Sequence, residues 1–207
     1  MKYYYSDLID KNIIPNDCIK FDCSYNRLTE LPILPNKLQI LLCNNNNLNL
    51  IPIIPNTLIK LDCSHNNILE LSELPNIIEN IYCNNNKLLN CNVISLKLYR
   101  LLCNNNNISE LPILSDSLEY LLCNNNNISA LPKLPNKLIT LFCHWNNLTE
   151  LPKLPNSLNY LYFSNNNIKY LLPENINIII KLYEFDGINN PLTSNYNNNE
   201  EFINSLE

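Results

Sequence analysis

The chain has 207 residues, 46% of them hydrophobic, and a formal net charge of −5, which is enough apolar material for a buried core. Its single glycine, Gly187, excludes Gly-rich phosphate-cradling loops, and its dispersed Lys and Arg exclude the contiguous basic face that nucleic acid requires. Nine cysteines with no secretory leader, and no apolar run long enough to span a bilayer, point to a reducing, intracellular and cytoplasmic setting without a membrane.

Residues 1–17 precede any regular pattern. Tyr3, Tyr4, Tyr5, Leu8 and Ile9, followed by Ile13-Ile14-Pro15, read as an N-terminal cap, with a short helix expected around Ser6–Lys11. From 18 to 192 the chain repeats one unit nine times. Its clearest copy is LPKLPNKLITLFCHWNNLTE, residues 131–150, with the frame Leu138-x-x-Leu141-x-Cys143-x-x-Asn146-x-Leu148. Twenty residues away in either direction the frame returns: Cys23, Cys43, Cys63, Cys83, Cys103, Cys123 and Cys143 mark the beat, and Phe163 takes the next one. The first copy is degenerate (Cys18, Phe21, Cys23, Asn26, Leu28), and the copy holding Asn90–Lys97 lacks both prolines, with Cys91 and Ile94 in the apolar slots. The ninth copy is four residues longer and is framed by Leu182, Phe185, Gly187, Asn190 and Leu192. Its linker places Pro173 at a helix-start position, so a turn or two of helix is expected there. Residues 193–207 form a polar tail, either a light C-terminal cap or frayed.

Each x-L-x-C-x core reads as a short strand with alternating inward and outward side chains, and copies stacked in register form a parallel sheet. The opposite side is set by proline. Leu31-Pro32-x-Leu34-Pro35 and its equivalents at 51–55, 131–135 and 151–155 forbid a regular helix, because each Pro lacks an N–H and clashes with the preceding turn. A period of this length carrying L-x-x-L-x-L-x-x-N/C-x-L identifies an α/β-class leucine-rich repeat solenoid, a horseshoe. Its concave side is expected to be a parallel sheet and its convex segments extended, polyproline or 3-10, with little α-helix.

The paired LPxLP segments on a twenty-residue period resemble the bacterial leucine-rich repeats of effectors injected into host cells, over roughly residues 18–192. That resemblance implies partner recognition. One branch of those effectors adds a C-terminal ubiquitin-ligase domain with a catalytic Cys. The present chain stops soon after Leu192 and is expected to lack it, so a substrate-recognition component acting with a separate catalytic subunit is the alternative. The Asn-, Ile- and Tyr-rich texture also resembles repeat proteins of giant DNA viruses and amoebae, with the viral likeness weighted higher and host cytoplasm as the implied location.

Asparagine fills about a fifth of the chain, well above ordinary usage. Asn26, Asn46, Asn66, Asn86, Asn106, Asn126, Asn146, Asn166 and Asn190 recur three residues behind the beat and read as a structural ladder, since Asn offers both donors and an acceptor to turning backbone. The Cys column reads as buried apolar thiols, with disulfides between neighbouring strands and metal binding as the alternatives. Parallel thiols form a stripe, whereas zinc requires four convergent ligands. His65 and His144 have no ligand-spaced partner, and Glu30, Glu70, Glu110 and Glu150 recur without companions, so no catalytic residue, metal or cofactor is expected.

The outward positions, one and three residues before the beat, should face the concave side. They run Lys20/Asp22, Ile40/Leu42, Lys60/Asp62 and Asn80/Tyr82 early, then Arg100/Leu102, Tyr120/Leu122, Thr140/Phe142 and Tyr160/Tyr162, and finally Glu184/Asp186. Open strand faces ordinarily carry polar residues, whereas contiguous apolar patches mark binding sites rich in Tyr, Trp and Arg. Arg100, Tyr120, Leu122, Phe142, His144, Trp145, Tyr160 and Tyr162 are the candidate partner-binding residues. The reading is a monomeric, non-enzymatic scaffold that binds a protein, with carbohydrate binding as a further alternative suited to Tyr, Trp and Asn.

Overall fold

A three-residue strand with only its middle side chain facing inward cannot hold itself together. Stability must come from stacking, and the structure stacks ten of them. The computed structural model describes residues 1–7, 13–91, 93 and 95–206. Leu8, Ile9 and Ile94, and the part of the expected first helix beyond Asp7, lie outside the described residues.

The strands are β1 (Lys2–Tyr4), β2 (Lys20–Asp22), β3 (Ile40–Leu42), β4 (Lys60–Asp62), β5 (Asn80–Tyr82), β6 (Arg100–Leu102), β7 (Tyr120–Leu122), β8 (Thr140–Phe142), β9 (Tyr160–Tyr162) and β10 (Glu184–Asp186). They form a single parallel sheet in sequence order. Each residue faces its equivalent one repeat on, as in Arg100↔Tyr120 and Leu101↔Leu121. Middle residues such as Leu41, Leu61, Leu101 and Leu121 are fully buried, as are flanking residues such as Leu38, Cys43, Leu48, Leu118, Cys123, Leu138 and Cys143. The return segments are extended. Each proline-led turn is closed by a backbone bond such as Leu138 N–H to Pro135 O at 3.1 Å, and Ser115 fills a proline slot with the same closure from Leu118.

Where the chain leaves β3 to β9, one residue adopts a left-handed conformation: Asn45, Asn85, Asn105, Asn125 and Asn165 have φ between 53° and 56°. Asn tolerates this region because its short amide bonds locally, which accounts for the second Asn of each run. The next Asn turns inward. Asn126 Nδ2 donates to Cys103 O at 3.1 Å and Cys123 O at 3.0 Å, while its Oδ1 accepts Ile108 N–H at 2.9 Å. Asn46, Asn146 and Asn166 make the same three bonds, and Asn190 makes them at the last repeat. Each rung joins its own turn to the preceding one. Asn26 stands apart: it is exposed, and its amide reaches only Cys23 O and Ser24 O.

Both ends differ from the bare repeat. At the start, β1 adds a strand the frame does not announce: Tyr3 faces Phe21, followed by a 3-10 turn over Tyr5–Asp7. Near the end, helix α1 (Pro173–Ile179) begins on Pro173, where the proline suggested a helical turn. Buried Asn175 ties it to the preceding repeat, accepting Leu154 N–H at 2.8 Å and donating to Pro152 O at 3.0 Å. The tail folds back as helix α2 (Asn199–Asn204), N-capped by Asn198 and anchored by Phe202, which lies against Tyr196 and Phe185.

The Cys column ends in a size exchange. Phe163, fully buried, occupies the beat of β9, and Gly187 follows at the beat of β10. A Cβ on Gly187 would stand 2.3 Å from Phe163 Cζ, so the ring fills the space the next side chain would need. Gly187→Ala is expected to destabilise the fold by about 1–3 kcal/mol through overpacking. Phe163→Cys made alongside it should recover part of the loss. Urea unfolding of the two single variants and the double variant measures this coupling, and strict additivity would refute it.

Candidate functional site

The alternation of each strand sends its first and third residues to the concave side, where nearly all of them are half-buried. Stacking turns these positions into two lanes. On β2 and β4 the lanes carry Lys and Asp, with Ile40 and Leu42 of β3 between them: Asp22 and Asp62 accept the hydroxyls of Ser24 and Ser64, and Lys60 Nζ lies 4.9 Å from the centre of the Tyr82 ring.

Over β6–β9 the lanes become aromatic. The Arg100 guanidinium sits 4.3 Å over the Tyr120 ring and 5.4 Å from that of Tyr99, while Tyr99 meets Tyr120 edge-on at 5.5 Å. Phe142 and Tyr162 stack at 4.4 Å, with an interplanar angle of 13°. His144 tilts against both rings, at 6.2 and 5.9 Å. Tyr160 is buttressed edge-on by Tyr183 at 5.5 Å. Such pairs fix ring orientation in addition to burying area. Leu122 lies beside Phe142 in the same lane.

Electrostatics follow from this packing. The Tyr82 hydroxyl is the largest influence on Arg100 and raises its pKa, against the opposing effect of partial burial. Partial burial lowers the His144 pKa, and Asp186 pulls it the other way. Arg100 Nε and His144 Nδ1 are buried and have no hydrogen-bond partner among the described residues. The Tyr162 hydroxyl donates to Glu184 Oε1, and that bond, with burial behind it, pushes its pKa up to about 12.

The structure thus gathers Arg100, Tyr120, Leu122, Phe142, His144, Tyr160 and Tyr162 on one face. Trp145 is set apart from these rings. It occupies the left-handed turn position filled elsewhere mostly by Asn, with φ 54°, and is 57% exposed at the rim. Sequence reasoning passed over Tyr99 and Tyr183, the buttresses. Both lie one residue ahead of a strand, a phase filled by Gln39, Glu79 and Asn159 in other copies, so periodicity carried no signal for them.

The thiols lie on the other side of the sheet. All nine are free and buried, and burial pushes Cys43 and Cys143 well above the ordinary thiol range. Among the described residues no three His, Cys, Asp or Glu side chains converge as a metal would require. No described helix is long and apolar enough to cross a membrane.

No family model matches the sequence, and no curated protein matches it. Solved structures do. YopM from Yersinia enterocolitica is 32% identical, with a TM-score of 0.80 over 86% of this chain and 39% of that one. YopM from Yersinia pestis, a leucine-rich effector protein, is 30% identical, with a TM-score of 0.75 over 82% of this chain and 48% of its own. The functional domain of InlJ from Listeria monocytogenes, which includes a cysteine ladder, is 26% identical, with a TM-score of 0.76 over 86% of this chain and 41% of that one. This chain therefore spans less than half the length of each of these three structures. With its twenty-residue frame and single parallel sheet, the chain is a leucine-rich repeat protein, similar over most of its length to the repeat arrays of bacterial effectors.

Proposed function

We propose that the chain is a non-enzymatic interaction scaffold that binds a protein partner on its concave face. The observation that carries this reading is the change of lane chemistry at β6. Lanes that alternate Lys and Asp with Ile40 and Leu42 give way to a tract that, apart from Arg100 and Thr140, is rings and leucines as far as β9, and it is too apolar to be explained as an ordinary solvated sheet face. Tyr and Arg held in fixed orientation lose little entropy on association. Trp145 supports the same reading from a different direction. A bulky residue in the left-handed region carries backbone strain, and such strain concentrates at functional positions. The Lys/Asp end steers orientation more than it adds affinity. Nine unpaired thiols suit a reducing intracellular compartment.

The test is affinity capture from a eukaryotic cytosolic lysate. The bait is the intact chain, beside a Tyr120→Ser, Phe142→Ser, Tyr160→Ser variant whose urea unfolding is unchanged. A protein held by the intact chain is expected to fall by about tenfold or more on the variant, because ring anchors dominate such interfaces. Equal recovery on both baits would move the site to the convex edge or the ends.

A further inference from the structure

The first-position lane across β6–β10 reads Arg100, Tyr120, Thr140, Tyr160, Glu184, each paired in register with the next. Its two ends carry opposite charges. Arg100 has no carboxylate beside it on β5, β6 or β7; its guanidinium lies over the Tyr120 ring, and its Nε is buried without a partner among the described residues. At the far end Glu184 is exposed and Asp186 lies on the same strand, with no cation anywhere on β8, β9 or β10. Between the two ends lie apolar and aromatic surfaces, Leu122 and Phe142 in the neighbouring lane and Tyr120 and Tyr160 in this one.

From this polarity we infer that the occupant of the face is an extended peptide segment of the partner, running across the strands. Its acidic side chain sits on Arg100, its apolar residues on the rings, and its basic side chain at Glu184. The inference rests on the concave-face reading above and adds direction and spacing to it. Four strand-to-strand steps of about 4.8 Å separate Arg100 from Glu184, about 19 Å in all. An extended chain advances about 3.3 Å per residue, so acid and base stand about six residues apart in the segment. The planar guanidinium favours a carboxylate held by two parallel bonds, and the opposite charge at the other end penalises the reversed direction.

A library of random peptides about twelve residues long, sufficient to cover the span with flanks, is panned on the intact chain. The enriched sequences are expected to share an acid and a base about five to seven residues apart with apolar residues between them. A synthetic peptide of that kind should bind Arg100→Gln and Glu184→Gln about tenfold more weakly than the intact chain. It should be recovered on Arg100→Glu when its own acid is replaced by Lys. Two variants at opposite ends keep the test decisive if one of them folds poorly. Enriched peptides without the charge pair, or with unchanged affinity for both Gln variants, would overturn the inference while loss of binding on Phe142→Ser left the concave reading standing. Binding indifferent to Phe142→Ser as well would sink both. A library that yields no binder overturns the extended-peptide inference alone.

Discussion

Between about pH 8.5 and pH 11 the folded chain, kept reduced, is expected to lose most of its resistance to urea. The cause is the Cys column. An unfolded thiol ionises near pH 8.5, whereas burial pushes Cys23 and Cys123 up to about 12 and holds Cys43 and Cys143 well above their ordinary range. Within that window the unfolded chain has released these protons and the folded chain has retained them. The unfolded state then binds fewer protons, and stability falls as pH rises. The stabilisation is fully present below the unfolded pKa and is lost as pH climbs towards the folded one. Each such thiol contributes a slope of about 1.4 kcal/mol per pH unit, so two of them acting together approach ~3 kcal/mol per unit, against a total stability of only about 5–15 kcal/mol. Urea midpoints at a series of pH values with reductant present measure the slope, and Cys123→Ala should reduce it by one thiol's share. A midpoint flat to pH 10.5 would show that these thiols reach solvent in the native state.

Removing one rung of the Asn ladder should have the next largest effect. Asn126 is 8% exposed and satisfies Ile108 N–H, Cys103 O and Cys123 O, groups that belong to two successive repeats. Asn126→Ala leaves Ile108 N–H unpaired in a buried turn, a loss of about 1–3 kcal/mol, while Cys103 O keeps Asn106 Nδ2 and Cys123 O keeps Asn146 Nδ2. Stability in a solenoid is close to a sum of repeat and neighbour terms, so the loss should cut the array at one junction. A depressed urea midpoint is expected, together with faster amide exchange around 103–127. The neighbouring Asn127 is exposed, and Asn127→Ala should leave the midpoint unchanged. If the two variants behaved alike, the ladder would carry no stability.

Much of the architecture was readable because the repeat states each rule several times. Paired prolines forbade a helix on the return path, and the return path is extended. Pro173 at a helix-start position marked α1. What the pattern missed lies where its columns stop. β1 carries neither the Cys nor the Asn of the frame, so only the open edge of β2 reveals that Lys2–Tyr4 pairs with it. The tail reads as polar, and α2 is held by Phe202 and by Asn199, whose amide reaches Phe185 O and Asp186 and accepts from Gly187. The candidate site divides in the same way. Strand alternation gave the two lanes, but the stacking of Phe142 on Tyr162, the tilt of His144 towards them and the separation of Trp145 depend on rotamers and backbone sign.

By itself, then, the sequence determined the period, the parallel sheet, the inward Cys and Asn columns and the side of the sheet on which the large residues stand. Each of these follows from local chemistry repeated at fixed spacing. Only the tertiary structure decided that Phe163 takes the room of the side chain Gly187 lacks and that Tyr99 and Tyr183 brace rings on adjacent strands. These relations join residues about one repeat or more apart through close packing, and packing is settled by which side chains meet across the stack rather than by any residue's own preference.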